Sequence, residues 1–160
     1  MSEPGSAIER RLQELGMTLP EAATPAFVYQ PVVIWRDVAY VSGQLPKVDG
    51  QVRITGKVGD TVSVEEAQEA ARICVLQALA VLKEALGTLD RVARVLKVTG
   101  FVASVPGFIE QPKVIDAAST LLGQVSGEAG HHARSAVGVA VLPRDSAVEI
   151  EFVVALREDI

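Results

Sequence analysis

Three charged residues stand inside stretches that otherwise have the composition of buried β-strands. Arg134 lies near the start of the apolar run 132–143, and Glu149 and Glu151 interrupt the run 148–152. Charged side chains in such strands are costly to bury unless they are paired or used. These residues therefore form either an interfacial salt bridge or part of a site, and residue types alone favour the salt bridge.

The two runs flank a turn at 143–146, and together they predict a final β-hairpin in which Leu142 pairs with Ala147. In that register Arg134, Glu149 and Glu151 project from one face, which is the face of small residues. Arg134 would lie roughly 20 Å along the hairpin from Glu149. The two side chains could meet only across a subunit interface, so the pattern predicts a cleft between protomers.

Periodicity and capping signals predict the elements that must position these charges. An amphipathic helix is predicted over 6–16, a longer one over 64–86 with a Ser63–Glu66 capping box, and a third over 112–122. Strands are predicted at 27–35, 38–42 and 94–102, ahead of the final hairpin. This order indicates an α+β fold with two helices on one face of a sheet, as a single domain over 1–160 with a short N-terminal helical extension.

The segment 136–141 is apolar at alternate positions on both sides of the predicted strand. A strand of this kind is expected to be covered on both faces. Two helices can cover only one of them, so the pattern favours a partner chain on the other.

Composition excludes several classes of protein. The net charge is −5 and no run of Lys or Arg could follow a phosphate backbone, which disfavours nucleic-acid binding. No apolar run approaches the ~20 residues of a membrane span, and no basic region followed by an apolar one marks a secretory signal. The single cysteine, Cys74, is predicted to be a buried residue of the long helix. We expect a cytoplasmic protein without membrane or nucleic-acid partners.

His131 and His132 are the only histidines. Neighbouring residues of an extended chain point to opposite sides, and no Cys, Asp or Glu cluster lies nearby, so no metal site is expected. A histidine at the mouth of a cleft could act as general acid or base. The alternative is that one ring is buried and hydrogen-bonded while the other lines a loop.

Several motifs occur in an order and spacing that resemble the RidA/YjgF family, and the resemblance covers about 27–156. They are Tyr40-Val41-Ser42-Gly43-Gln44, Lys97-Val98-Thr99-Gly100-Phe101-Val102, Ala133-Arg134-Ser135, Leu142-Pro143 and Val148-Glu149-Ile150-Glu151. The resemblance implies a chorismate-mutase-like fold, a barrel-type homotrimer and clefts between subunits. It also implies hydrolysis of reactive 2-aminoacrylate-type enamines or imines to 2-keto acids and ammonia, for which no cofactor is needed.

The resemblance assigns roles residue by residue. Arg134 matches the arginine that binds the substrate carboxylate, and Glu149 matches the glutamate that positions water and assists proton transfer. Tyr29 falls at the position of a cleft tyrosine, although it could equally be a rim or core aromatic. Ser42 and Gly43 match a segment whose backbone lines the cleft, where glycine permits close approach of a ligand.

The chain differs from active family members at two positions. Pro112 stands where they carry an asparagine and Ala136 where they often carry a cysteine, and the stretch from 112 to 134 is longer than theirs. Together these differences indicate a longer, divergent branch. These differences favour an alternative function, a non-catalytic trimer that binds a small carboxylate metabolite. Ribonuclease activity, a label often attached to the family, is disfavoured by the acidic charge balance.

Overall fold

The computed structural model describes residues 5–25 and 27–158. The helices are α1 (Ala7–Glu14), α2 (Val64–Leu86) and α3 (Gln111–Ser126). The strands are β1 (Val32–Trp35), β2 (Val38–Gln44), β3 (Lys47–Val48), β4 (Gln51–Val52), β5 (Val92–Ala103), β6 (Ala133–Val139) and β7 (Val148–Leu156). None of the helices in the described ranges has the length and apolar character that crossing a bilayer requires.

The helices begin and end where local chemistry predicts. Ser63 caps α2 by accepting from the Glu66 amide while the Glu66 side chain accepts from the Ser63 amide, so two orphan donors are satisfied. Gly87 ends this helix with a φ of 81°, which glycine adopts without strain. A stripe of small and apolar residues runs along α2, and every member is buried: Ala67, Ala70, Ala71, Cys74, Ala78, Leu82 and Leu86.

Five strands form one sheet in the order β1-β2-β7-β5-β6. The predicted β1–β2 hairpin is confirmed, whereas the predicted final hairpin is wrong: β6 pairs in parallel with β5, and β7 pairs antiparallel with both β5 and β2. Helix α3 is the crossover that a parallel β5–β6 pair requires. Residues 140–147 then carry the chain past β5, a distance of roughly 10 Å at the usual strand spacing.

The helices pack on the face of the sheet that includes Val98, Val102 and Ile150, all of which are fully buried. Gly100 lies on the same face directly under α3, where a Cβ would come within 2.5 Å of the Ile115 side chain. The small residues of β6 also face this side, since a Cβ on Gly138 would lie 2.7 Å from Nε2 of the α3 residue Gln111. The small-residue face therefore lies on the helix side of the sheet, where Ala136 is partly buried while Gly138 and Ala140 are exposed.

Candidate functional site

A bulge in β2 creates the most distinctive irregularity of the sheet. Val41 pairs with Phe152 and Gln44 pairs with Ile150. Between these two pairs, β2 has one more residue than β7. The extra residue falls at Ser42–Gly43, where the Ser42 amide donates to Pro31 O at 2.9 Å. Bulges bend a strand and re-aim its neighbours, and they are frequent next to active sites.

The Glu149 carboxylate lies against this bulge. Glu149 is opposite Phe101 of β5, on the face of the sheet that the helices leave open. A Cβ added to Gly43 would overlap Oε1 of Glu149 and lie 2.8 Å from its Cδ. The absence of a side chain at Gly43 is therefore what allows the carboxylate to rest on the β2 backbone.

Burial and a neighbouring charge favour the protonated form of this carboxyl. Glu149 is half-buried, and its pKa is raised first by desolvation and second by the negative charge of Glu151. A glutamate whose pKa moves toward neutrality can both accept and return a proton under physiological conditions. The position therefore suits a general acid/base that acts on a ligand held in the adjoining space.

That space is a cavity of about 440 Å³. The sequence-predicted residues Tyr29, Ser42, Gly43 and Glu149 all contribute to its wall. Glu149 is the one acidic residue among the described residues that line it.

Two cations of the cavity wall were not predicted from the sequence. Lys47 at the start of β3 and Arg144 in the turn before β7 both line the cavity. Each belongs to a Leu-Pro-cation triplet, Leu45-Pro46-Lys47 and Leu142-Pro143-Arg144, and this repetition is the signal that could have identified them.

Arg134 lies on β6 and does not line the Glu149 cavity. Arg134 pairs with Val98 of β5, whereas Glu149 pairs with Phe101 of the same strand. Val98 and Phe101 are an odd number of residues apart, so their side chains point to opposite faces. Arg134 and Glu149 therefore project from opposite faces, and the predicted single face for Arg134, Glu149 and Glu151 is wrong. The Arg134 Nη1 donates to Asp116 Oδ1 at 2.8 Å and to Ser119 Oγ at 3.1 Å on α3.

The two histidines lie beside this arginine rather than in the cavity. His132 Nδ1 is 2.6 Å from Gly130 O, which can only accept, so Nδ1 carries the proton and Nε2 accepts from Ser119 Oγ at 2.9 Å. His131 is exposed, and its carbonyl accepts from Arg94 Nε at 3.2 Å. Within the described residues, no three His, Cys, Asp or Glu side chains are grouped as a metal site would need.

His132 should make the protein less stable in mild acid. Burial lowers its pKa, as do the charges of Arg134 and His131, against the opposing hydrogen bond to Gly130. The unfolded chain then binds more protons than the folded one, so the free energy of unfolding falls as pH drops below about 6.5 and through the lowered folded-state pKa. The acid in the same cluster is Asp116, which forms an ion pair with Arg134.

We expect His132→Gln to reduce this slope, because the amide oxygen can still accept from Ser119 but does not titrate. His131→Gln is the comparison variant: it removes only the smallest of the charges that lower the His132 pKa, so it should change the slope much less than His132→Gln does. Urea unfolding of both variants at a series of pH values measures the effect. A slope that depends on His131 and not on His132 would contradict this assignment.

Comparisons with known proteins agree with the fold. Residues 9–156 match the family described as "YjgF/chorismate mutase-like, putative endoribonuclease". Protein TCP17 of Trypanosoma cruzi is 48% identical over 151 residues, which cover 94% of each chain. The crystal structure of Atu1372, a protein of unknown function from Agrobacterium tumefaciens, is 50% identical with a TM-score of 0.89 and covers 94% of this chain and 93% of that one.

A shorter relative is more distant. The YjgF gene product of Escherichia coli is 25% identical with a TM-score of 0.64, over 86% of this chain and 94% of its own. The contrast with TCP17 and Atu1372 places the chain in a longer, divergent branch. The family match over 9–156 and the similarity to TCP17 show that this chain belongs to the YjgF/RidA family.

Proposed function

We propose that this protein is a cytoplasmic homotrimer that hydrolyses 2-aminoacrylate-type enamines and their imine tautomers to 2-keto acids and ammonia. The observation that carries the proposal is the half-buried Glu149 carboxyl, with its raised pKa, resting on Gly43 in the wall of a cavity. A carboxyl of this kind can take a proton from water and deliver one to nitrogen.

The proposed reaction consumes one water. The enamine tautomerises to the imine by gaining a proton at its β-carbon and losing one from nitrogen. Glu149 accepts a proton as water adds to the C=N carbon, which forms a carbinolamine. Glu149 returns that proton to nitrogen, and the carbinolamine hydroxyl then passes its own proton to the amino nitrogen. The C–N bond breaks as the C=O bond forms, and ammonia and the 2-keto acid leave. Proton transfer and charge stabilisation are sufficient for these steps.

The open face of the sheet supports the oligomeric part of the proposal. Val33, Tyr40 and Val137 lie on this face and are 51%, 51% and 42% exposed. Exposed apolar surface next to a polar site is typical of protein interfaces. A second copy of the chain seated here would close the Glu149 cavity from the open side.

We propose that Arg134 of one protomer contributes to the Glu149 site of another protomer. It lies on β6, at an edge of the sheet, away from the Glu149 cavity of its own chain. The contacts to Asp116 and Ser119 are both made by Nη1, and a guanidinium has further donors in a planar fork that fits a carboxylate. We propose that these donors bind the substrate carboxylate.

Two variants separate this role from a structural one. Arg134→Met should lower kcat/KM about 100-fold, because the carboxylate loses a charge-assisted anchor. Asp116→Asn breaks the same ion pair but leaves the guanidinium, so it should retain most of the turnover. The assay measures 2-keto acid released from imines that an amino-acid oxidase generates in situ, with size-exclusion chromatography to check assembly.

Equal losses in the two variants would show that the ion pair is structural and would contradict the assigned role. No acceleration by a wild-type trimer over several amino-acid-derived imines would refute the deaminase proposal. That outcome would favour the alternative, a non-catalytic trimer that binds a carboxylate metabolite. Pro112 and Ala136, which replace residues of active relatives, support this second candidate. The net charge of −5 does not support a ribonuclease.

A further inference from the structure

The Glu149 cavity holds a pair of positive charges that the proposed reaction does not use. Lys47 and Arg144 both line it, and neither forms an ion pair with a described carboxylate. The remaining lining acid, Glu149, has a pKa set by burial and by Glu151 rather than by these cations. The two cations and the Glu149 carboxyl line the same cavity.

The backbone fixes Lys47. The buried side chain of Gln77 on α2 donates from Nε2 to Lys47 O at 2.8 Å, which ties β3 to the helix layer. Desolvation lowers the pKa of Lys47, and the positive charge of Arg144 lowers it further. An ammonium in this position is more favourable when an anion lies beside it.

Arg144 is held in a strained conformation. Its φ is 56°, in the left-handed region that is unfavourable for a residue with a Cβ. Hydrogen bonds keep the turn in place: Asp145 N donates to Leu142 O at 3.1 Å, and Gly56 N donates to Asp145 O at 2.9 Å. Strain retained by surrounding structure is often found at ligand-binding positions.

We propose that Lys47 and Arg144 form an anion subsite for a second acidic group of the substrate. The preferred substrates are then imines and enamines of amino acids whose side chain carries a carboxylate. This inference rests on the proposed function, in which Glu149 acts at the reacting centre and the two cations bind the second acidic group. An arginine and a lysine together supply the donors and the charge that a carboxylate needs.

Binding of two product analogues tests the subsite without turnover. The probes are 2-oxoglutarate and 2-oxopentanoate, which have the same carbon chain and differ in the distal carboxylate. We expect the wild-type protein to bind 2-oxoglutarate at least about tenfold more tightly in calorimetric titrations, equivalent to ~1.4 kcal/mol. The preference should decrease as salt is added, since exposed charges are screened.

Variants of the two cations test whether they cause the preference for 2-oxoglutarate. Lys47→Met and Arg144→Asn should each bring the affinity ratio close to one and leave 2-oxopentanoate binding unchanged; asparagine tolerates the left-handed φ at 144. Arg53→Met, which removes an exposed arginine paired with Asp49, should keep the wild-type ratio. Thermal unfolding checks that each variant is folded.

The failure of this inference is distinguishable from failure of the deaminase proposal. Glu149→Gln should keep the affinity ratio even where turnover is lost, because the subsite does not depend on that carboxyl. A wild-type ratio near one would overturn the subsite, whatever the turnover assay shows. A ratio that persists in both Lys47→Met and Arg144→Asn would also overturn it.

Discussion

Replacing Glu149 with glutamine should lower kcat/KM for imine hydrolysis by about 10²- to 10⁴-fold, the usual contribution of a general acid/base. Glutamine keeps the size of the side chain beside Gly43 but can neither accept nor return the proton. The pKa of Glu149 is already raised, which means that burial disfavours its charged form, and the amide of glutamine is neutral. We therefore expect little change in the free energy of unfolding. Steady-state assays with imines generated in situ measure the effect.

Glu151 provides the matched control, since it lies two residues further along β7 on the same face. Glu151→Gln should retain turnover. It also removes a negative charge that raises the Glu149 pKa, so the acid limb of the kcat/KM profile should move to lower pH. If Glu149→Gln and Glu151→Gln lose turnover equally, the assignment of Glu149 as the acid/base is wrong.

Replacing Gly130 with alanine should destabilise the protein by about 3 kcal/mol, at the upper end of the range for overpacking. Gly130 is buried where the 3₁₀ turn Gly127–Gly130 packs on α3. Its added Cβ would overlap Leu122 O and come within 2.6 Å of the Leu122 carbonyl carbon and 3.0 Å of Gly123 N. These are backbone atoms of a helix, so no side-chain rotation relieves the contact.

Gly123, whose amide nitrogen is one of the atoms near the Gly130 Cβ position, provides the control. Gly123 is within α3 and has only the His131 ring near its Cβ position, at 3.9 Å. Gly123→Ala should therefore stabilise the protein by about 0.5–1 kcal/mol, the usual gain from alanine in a helix. Urea unfolding of both variants gives the comparison, and a Gly130→Ala midpoint at or above the wild-type value would contradict the packing argument.

Local chemistry determined the helices and the first hairpin. The capping box at Ser63, the stop at Gly87 and the buried stripe of α2 depend on residues within a few positions of one another. The same holds for β1 and β2, which are joined by the two-residue turn Arg36–Asp37. Such features can be predicted from sequence because their interaction partners are neighbours along the chain.

Pairing between distant segments was decided by the tertiary structure. The sequence places β6 and β7 next to each other, and a hairpin is the default for such a pair. Instead β5, which is separated from β6 by α3, lies between them. Because β5 lies between them, Arg134 and Glu149 project from opposite faces. The pattern of residues within 132–152 could not have predicted this.

The candidate site shows the same division. The types of residue and the family resemblance singled out Tyr29, Ser42, Gly43 and Glu149, which the structure brings to one cavity. Lys47 and Arg144 join them from separate turns. The bulge in β2 decided how closely Glu149 approaches Gly43, because it is an offset between two strands distant in sequence. Sequence alone thus singled out four residues of the cavity wall, and the pairing of distant strands decided that these four share the cavity while Arg134 lies outside it.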